Sequence, residues 1–169
     1  MKSKRSINLA FSELFFAAVC VLGTGCHSTP KPKAWNVVLT KTTPATVRVD
    51  LIGVSRTDKS DWTGYNLNEY WKPDDRRRKD ADKISFENLE LNQRVKVDRK
   101  DPQWEKWFSH GVNELLVIAD LPGDFSGGAD DPRRKFLPLN KKAWDASPKD
   151  TLDIEIQQTL IKILTPPKE

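Results

Sequence analysis

Cysteine is scarce in this chain of 169 residues, and its two copies lie close together at Cys20 and Cys26. Residues 27–169 contain none, so no disulfide can form within them. Histidine is equally scarce, with only His27 and His110. So few cysteine and histidine side chains cannot supply the ligand set of a zinc site. We therefore expect no disulfide framework, no metal and no other cofactor.

Long hydrophobic runs are also lacking. The apolar run of residues 14–25 has 12 residues, whereas a helix needs about 20 to cross the hydrocarbon core of a bilayer. Three basic residues precede this run and small residues end it, which is the layout of an export signal. We predict a signal peptide over residues 1–25, a new N-terminus and polar linker over 26–34, and a single domain over 35–169.

Positive charge is not in large excess. The formal net charge of the whole chain is +4, and it falls to +2 without residues 1–25, which carry three basic groups and one acid. A charge of this size gives no basis for binding nucleic acid, so we predict no such partner.

Cys26 stands directly behind Gly23, Thr24 and Gly25, and the polar, proline-spaced residues 27–34 follow it. This arrangement resembles the bacterial lipoprotein box, in which a small residue precedes a cysteine that carries acyl chains. The usual box has Leu at the position of Gly23. The resemblance implies lipid attachment at Cys26 and a membrane anchor. The alternative is ordinary signal cleavage, which would leave Cys26 as a free thiol.

Short strands dominate the rest of the chain. Residues 34–39 and 47–54 are predicted as the first two strands. In the second, Val47, Val49 and Leu51 alternate with polar residues, which is the period of a half-buried strand with one wet face. The connection TKTTPAT between them is short, so we predict a hairpin.

The later segments continue this pattern. The aromatic residues 61–71 predict a short helix, the charged residues 74–83 a solvated loop, and residues 102–110 a second short helix with a tryptophan-rich buried face. Further strands are predicted at residues 84–91, 93–97, 115–119, 135–139 and in both halves of 152–163. Seven or eight short strands without a long helix predict a mainly β protein, an antiparallel β-sandwich.

Catalytic patterns are weak. His110 with a nearby acid is the only plausible catalytic chemistry. No nucleophile-elbow motif occurs, and at a helix end His110 is expected to interact with free carbonyl groups. The acidic loop of residues 123–131 offers oxygen ligands for calcium, but it lacks the spacing of an EF-hand loop and is better explained as a turn-rich loop. We predict that the protein is not an enzyme.

The order of elements resembles the outer-membrane lipoprotein of the type VI secretion membrane complex, a transthyretin-like β-sandwich with a helical insertion. The stretches that carry this resemblance are VRVDLIGV, DWTGYNLNEYW, FENLELNQ, NELLVIADLPG, RRKFLPL and TLDIEIQQTLIKIL. The family's partner-binding loop between its first two strands is long, whereas TKTTPAT is short, and the family lacks a charged block like residues 74–83.

The resemblance implies a noncatalytic lipoprotein at the periplasmic face of the bacterial outer membrane. Such a protein would hold an inner-membrane-spanning secretion component to that membrane. Two alternatives stay open on the sequence, a lipid-anchored envelope hydrolase that uses His110 and a generic bacterial lipoprotein with another binding role.

Overall fold

Two four-stranded sheets face each other in the computed structural model, which describes residues 31–146 and 149–168. The strand orders are β4-β1-β7-β8 in the first sheet and β3-β2-β5-β6 in the second. Every neighbouring pair is antiparallel except β1 and β7, which are parallel. The predicted mainly β sandwich is thus confirmed. The strands are β1 (Asn36–Lys41), β2 (Val47–Ser55), β3 (Lys83–Leu89), β4 (Arg94–Val97), β5 (Val112–Ala119), β6 (Arg134–Pro138), β7 (Thr151–Ile156) and β8 (Ile161–Ile163).

The main core lies between the sheets and is built from alternate residues of the strands. Because side chains of a strand point to opposite faces in turn, every second apolar residue enters the same layer. The predicted alternation in β2 is confirmed on this inner face. The strand residues that fill it include Val37, Leu39, Val47, Val49, Leu51, Leu115, Val117, Leu152, Ile154 and Ile156, all at most 1% exposed.

A helical insertion between β2 and β3 covers the outer face of the second sheet. It consists of α1 (Lys59–Gly64), α2 (Leu67–Tyr70) and α3 (Arg76–Asp80). Its buried side chains form a second apolar cluster with the outward-facing residues of β2 and β5. The prediction of one wet face was therefore wrong for β2, which is covered on both sides. The residues of this cluster are Ile52, Val54, Trp62, Leu67, Tyr70, Leu116 and Ile118.

The connection between β1 and β2 does not form the predicted hairpin. β1 pairs with β4 and β7, whereas β2 pairs with β3 and β5, so residues 42–46 cross from one sheet to the other. The two predicted strands within residues 152–163 are joined by a tight turn, because residues 157–160 connect the antiparallel strands β7 and β8. There the N–H of Gln157 donates to the carbonyl of Leu160 at 3.0 Å.

The remaining helix, α4 (Gln103–Ser109), follows the predicted pattern. The Asp101 carboxylate accepts the N–H of Gln103 at 2.8 Å, and Trp104 and Trp107 are buried in the main core. None of the helices in the described ranges has the length and apolar character needed to span a membrane.

Candidate functional site

A buried carboxylate joins the helical insertion to the second sheet. Asp50 lies in the middle of β2 on the outer face, and its side chain is fully buried. The hydroxyl of Tyr70 donates to Asp50 Oδ2 at 2.8 Å, and Arg78 Nε donates to the same oxygen at 2.9 Å. Burial and the neighbouring Asp50 charge raise the pKa of Tyr70 well above its usual value, so this hydroxyl stays a donor.

The charged segment of residues 74–83 is therefore not the solvated loop predicted from the sequence. Asp75 accepts the backbone N–H of Arg78 at 2.6 Å, which starts α3 as a helix. Arg78 also donates to Glu87 at 3.0 Å, so one guanidinium bridges β2 and β3. The segment is held in place by contacts of Arg78 with residues of β2 and β3, which are distant in sequence.

Guanidinium groups of this segment also stack on the aromatic residues of the insertion. Arg77 lies 4.4 Å from the ring centroid of Trp62 and 5.2 Å from that of Tyr65. Arg78 lies 4.5 Å from the ring of Trp71. Such cation–π contacts favour a close, fixed packing of the charged segment on the aromatic segment.

A cavity of about 620 Å³ opens between the insertion and the end of α4. Two buried polar atoms near it, Arg77 Nε and Asp82 Oδ2, have no hydrogen-bond partner among the described residues. The floor of the cavity includes Gly53, and a Cβ added there would lie 2.6 Å from the ring of Trp107. The aromatic and charged side chains that line the cavity include Trp62, Tyr65, Arg77, Asp82, Trp107 and His110.

His110 lies at this cavity, at the C-terminal end of α4. Its backbone N–H donates to the carbonyl of Trp107 at 3.0 Å, while its imidazole is 65% exposed and lies 4.0 Å from Asp82. The neighbouring Ser109 hydroxyl donates to the carbonyl of Lys106. Within the described ranges no serine hydroxyl is hydrogen-bonded to His110, so the structure brings together a histidine and an acid without a serine nucleophile.

In the acidic loop of residues 123–131, the one buried carboxylate, that of Asp131, bonds to neighbouring residues of the protein. Asp131 is buried and accepts hydrogen bonds from the side chain and backbone of Arg133 and from the N–H of Gly127. Although burial opposes it, these bonds lower the pKa of Asp131. Asp124 and Asp130 are exposed, and the described residues hold no group of three acids, histidines or cysteines placed for a metal.

Cys26, the predicted lipid-attachment residue, lies outside the described residues. Sequence reasoning missed the anchoring roles of Asp50 and Arg78. The available signal was an aspartate inside the apolar stretch VRVDLIGV, because an acid on a half-buried strand needs a partner if that face is covered.

Comparison with known proteins gives matches in structure alone. No protein-family model matches the chain, and no curated protein matches its sequence. A chain of a type VI membrane complex matches with a TM-score of 0.52 at 14% identity, covering 79% of this chain and 98% of that one. This chain shares the fold of that component. The resemblance predicted from the sequence is confirmed at the level of fold.

Two further solved structures are similar to this chain. One is the type VI secretion lipoprotein TssJ1 from Pseudomonas aeruginosa, with a TM-score of 0.49 and 15% identity over 82% of this chain and 99% of that one. The other is Lip of Serratia marcescens, a membrane-bound component of the type VI secretion system. It has a TM-score of 0.44 and 14% identity over 77% of this chain and 97% of that one.

Proposed function

We propose that this protein is a noncatalytic lipoprotein that scaffolds an envelope complex, in its sharpest form the type VI secretion membrane complex. The observation that carries the proposal is the fold shared with a type VI membrane-complex chain over 98% of that chain. The lipoprotein-like sequence around Cys26 supports it independently. A generic lipoprotein of the same fold is the alternative if no type VI component binds.

The anchor is proposed to be a lipid on Cys26 at the periplasmic face of the outer membrane. Lys33 donates its N–H to the carbonyl of Leu139 at 2.8 Å, and Pro32 bridges to Asn140, so the chain enters the domain beside these residues. Residues 26–30 would span up to about 17 Å if extended. Two or more acyl chains give a stable anchor, where one alone does not.

Mass spectrometry of the mature N-terminus from cells tests the anchor. The expected result is a diacylglyceryl adduct on Cys26 at the first position of the mature chain. An unmodified thiol there would contradict the anchor.

The protein partner is proposed to bind at the other end of the sandwich. Residues 42–46, which join β1 to β2, lie beside the turn between β3 and β4, because Asn92 donates its N–H to the carbonyl of Lys41 at 2.9 Å. Leu91 at this turn is 52% exposed, the more exposed of the two large apolar side chains that stand out from the surface of the described residues. An exposed apolar residue beside a crossing loop fits a protein contact.

Co-purification from cells that contain a type VI secretion system tests the partner. We expect the inner-membrane-spanning component to co-purify with the parent chain, and the yield to fall at least about tenfold with Leu91→Asp, as for a hot-spot residue. Leu164→Asp is the matched control, because Leu164 is 48% exposed elsewhere on the surface. Equal yields from the two variants would contradict this contact, and no co-purification with the parent would leave the generic lipoprotein.

An envelope hydrolase is the second candidate. The observation in its favour is the cavity of about 620 Å³ that brings His110 next to Asp82. No serine hydroxyl in the described ranges is hydrogen-bonded to His110, which argues against a serine–histidine mechanism there.

A further inference from the structure

The turns at the start of β1 form one end of the sandwich, which we call the tether end. Asn36 donates its N–H to the carbonyl of Asp150 at 3.0 Å, and its side-chain oxygen accepts the N–H of Arg99 at 3.1 Å. Arg56 lines a groove with Pro32 and Asn140, and Lys168 donates its N–H to the carbonyl of Ala143. The tether end comprises residues 31–36, 56–58, 98–101, 139–146, 149–150 and 165–168.

The opposite ends of the same strands form the far end. Lys41 donates its N–H to the carbonyl of Gln93, and Asp120 donates its N–H to the carbonyl of Arg48 at 2.9 Å. The N–H of Ile161 donates to the carbonyl of Pro132, which brings the β7–β8 turn to the same place. The far end comprises residues 42–46, 90–93, 120–133 and 157–160.

The two ends carry opposite charge. The tether end has nine basic and five acidic side chains, whereas the far end has one basic and five acidic side chains. The net charge of the chain hides this separation, because the two excesses cancel. The basic residues of the tether end are Lys31, Lys33, Arg56, Arg99, Lys100, Lys141, Lys142, Lys149 and Lys168, and its acids are Asp58, Asp98, Asp101, Asp145 and Asp150.

Most of the positive charge at the tether end is free to meet a partner. Asp150 forms ion pairs with Lys33 at 2.5 Å and with Arg99 at 3.3 Å. The other seven basic side chains are exposed and form no ion pair within the described ranges. These exposed cations lie on several separate turns and make a broad surface, in which Arg99, Lys100 and Lys149 line a cavity of about 580 Å³.

We propose that the tether end is an interaction surface for the anionic phospholipid headgroups of a bilayer. An anionic membrane surface attracts lysine and arginine side chains within about a Debye length, and each adds about fivefold to partitioning. The same surface repels the acids of the far end. The domain therefore rests on its basic end and directs the far end away from the lipid.

The proposed lipid-binding surface extends the proposed function, because it would hold the same domain at the same membrane. A lipid on Cys26 and the basic tether end act on the same side of the domain, since the described chain begins there at Lys31. One lipid signal and one polybasic signal together give firmer membrane binding than either alone. The charge separation itself does not require that Cys26 is acylated.

Vesicle co-sedimentation of the full chain with Cys26→Ser tests the surface without any acyl chain. The probes are vesicles of phosphatidylcholine alone and of phosphatidylcholine with phosphatidylglycerol, at low and at high salt. The expected result is stronger binding to the vesicles that contain phosphatidylglycerol, weakened by salt. Equal binding to both kinds of vesicle would overturn the proposal.

Two double variants on this background separate the basic end from total charge. Lys141→Gln with Lys142→Gln removes two charges from the tether end and is expected to lower partitioning to phosphatidylglycerol vesicles about thirtyfold. Lys135→Gln with Lys162→Gln removes two exposed charges from β6 and β8, and is expected to leave partitioning within about twofold. Circular dichroism confirms that each variant is folded.

Equal losses in the two variants, or no loss in the first, would show that the tether end does not bind lipid. These results do not depend on acylation, because the vesicle test uses chains without the Cys26 thiol. The mass spectrum of the mature N-terminus in turn does not depend on the lysines. A failure of the basic surface and a failure of the anchor are thus distinguishable.

Discussion

Arg78 and Asp50 form an ion pair across 28 residues of sequence, with Arg78 Nε 2.9 Å from Asp50 Oδ2. The Asp50 side chain is fully buried, while the Arg78 side chain is 22% exposed. The pair connects α3 to the middle of β2, on the face that the insertion covers. The helical insertion is therefore held to the sandwich by a polar contact as well as by the second apolar cluster, which includes Trp62.

Replacing Arg78 by Met leaves the Asp50 charge buried with Tyr70 as its remaining donor. Removal of one partner of a buried pair costs about 3–5 kcal/mol, because the other charge stays desolvated. The partial exposure of Arg78 places the expected loss in unfolding free energy near the lower value, about 3 kcal/mol. Urea denaturation measures it.

Arg76→Met is the matched control in the same helix. Arg76 is 93% exposed and forms an ion pair with Asp80, so its replacement should change the unfolding free energy by less than about 0.5 kcal/mol. Adding Asp50→Asn to Arg78→Met should restore part of the lost stability by removing the buried charge. If Arg78→Met and Arg76→Met lose equally little, the pair does not fasten the insertion.

Replacement by alanine should have opposite effects on stability at Gly53 and at Gly64. A Cβ at Gly53 would lie 2.6 Å from the Trp107 ring, which is 1% exposed and donates its Nε1–H to the carbonyl of Asp82. The ring has no room to move, so Gly53→Ala should lower the midpoint of thermal unfolding, with a loss of about 1–3 kcal/mol.

Gly64 ends α1 and has open space where a Cβ would stand. Gly64→Ala should therefore change stability by less than about 1 kcal/mol and in the stabilising direction, because alanine has the higher helix propensity. A loss at Gly64 as large as that at Gly53 would refute the explanation by contact with Trp107.

The two tyrosines of the chain should resist ionisation at high pH. Burial and the hydrogen bond to Asp75 raise the pKa of Tyr65 to about 12, and burial beside Asp50 raises the pKa of Tyr70. A raised pKa means that the folded state keeps the proton, so this stability is complete below about pH 10 and is lost as pH rises through the folded value.

Near-ultraviolet absorbance of the phenolate measures this shift. Both tyrosines should titrate near pH 10 in urea and at higher pH in the folded protein. Tyr65→Phe should remove the earlier of the two folded transitions. Phenolate formation near pH 10 without a change in far-ultraviolet circular dichroism would argue against the burial of both hydroxyls.

The sequence predicted which side chains are buried better than it predicted which strands pair. Alternation along β2 places Val49 and Leu51 in the core wherever the strand lies, because the period of two depends on the backbone alone. Pairing depends on contacts between distant segments. The short connection of residues 42–46 suits a hairpin equally well, yet β1 pairs with β7 from the other end of the chain.

The charged residues of the insertion show the same limit. By its pattern Asp50 belongs to a wet face, and Arg78 belongs to a mixed run of charges that favours solvent. Each is buried or half-buried because the other neutralises it, and neither segment carries this information alone. The predicted strands and helices followed from local pattern, while the covering of the second sheet followed from tertiary contacts.

The variant His110→Ala distinguishes the proposed scaffold function from the hydrolase alternative. His110 is 65% exposed, its nearest acid is 4.0 Å away, and Ser109 donates to a backbone carbonyl and not to the imidazole. A scaffold does not need this side chain, so the variant should keep the parent's stability, partner yield and secretion activity in cells. A catalytic imidazole supplies a rate factor of about 10²–10⁴, so its loss would nearly abolish a hydrolytic activity.

Turnover of purified envelope polymer by the parent and His110→Ala chains completes this test. We expect neither chain to cleave the polymer. Asp82→Asn is the companion variant, because it removes the negative charge that faces His110 and keeps an oxygen that can accept the hydrogen bonds from Gln103 and Lys106. Cleavage by the parent that falls in both variants, with folding intact, would make the cavity an active site. The scaffold would then have to share the domain with an enzyme.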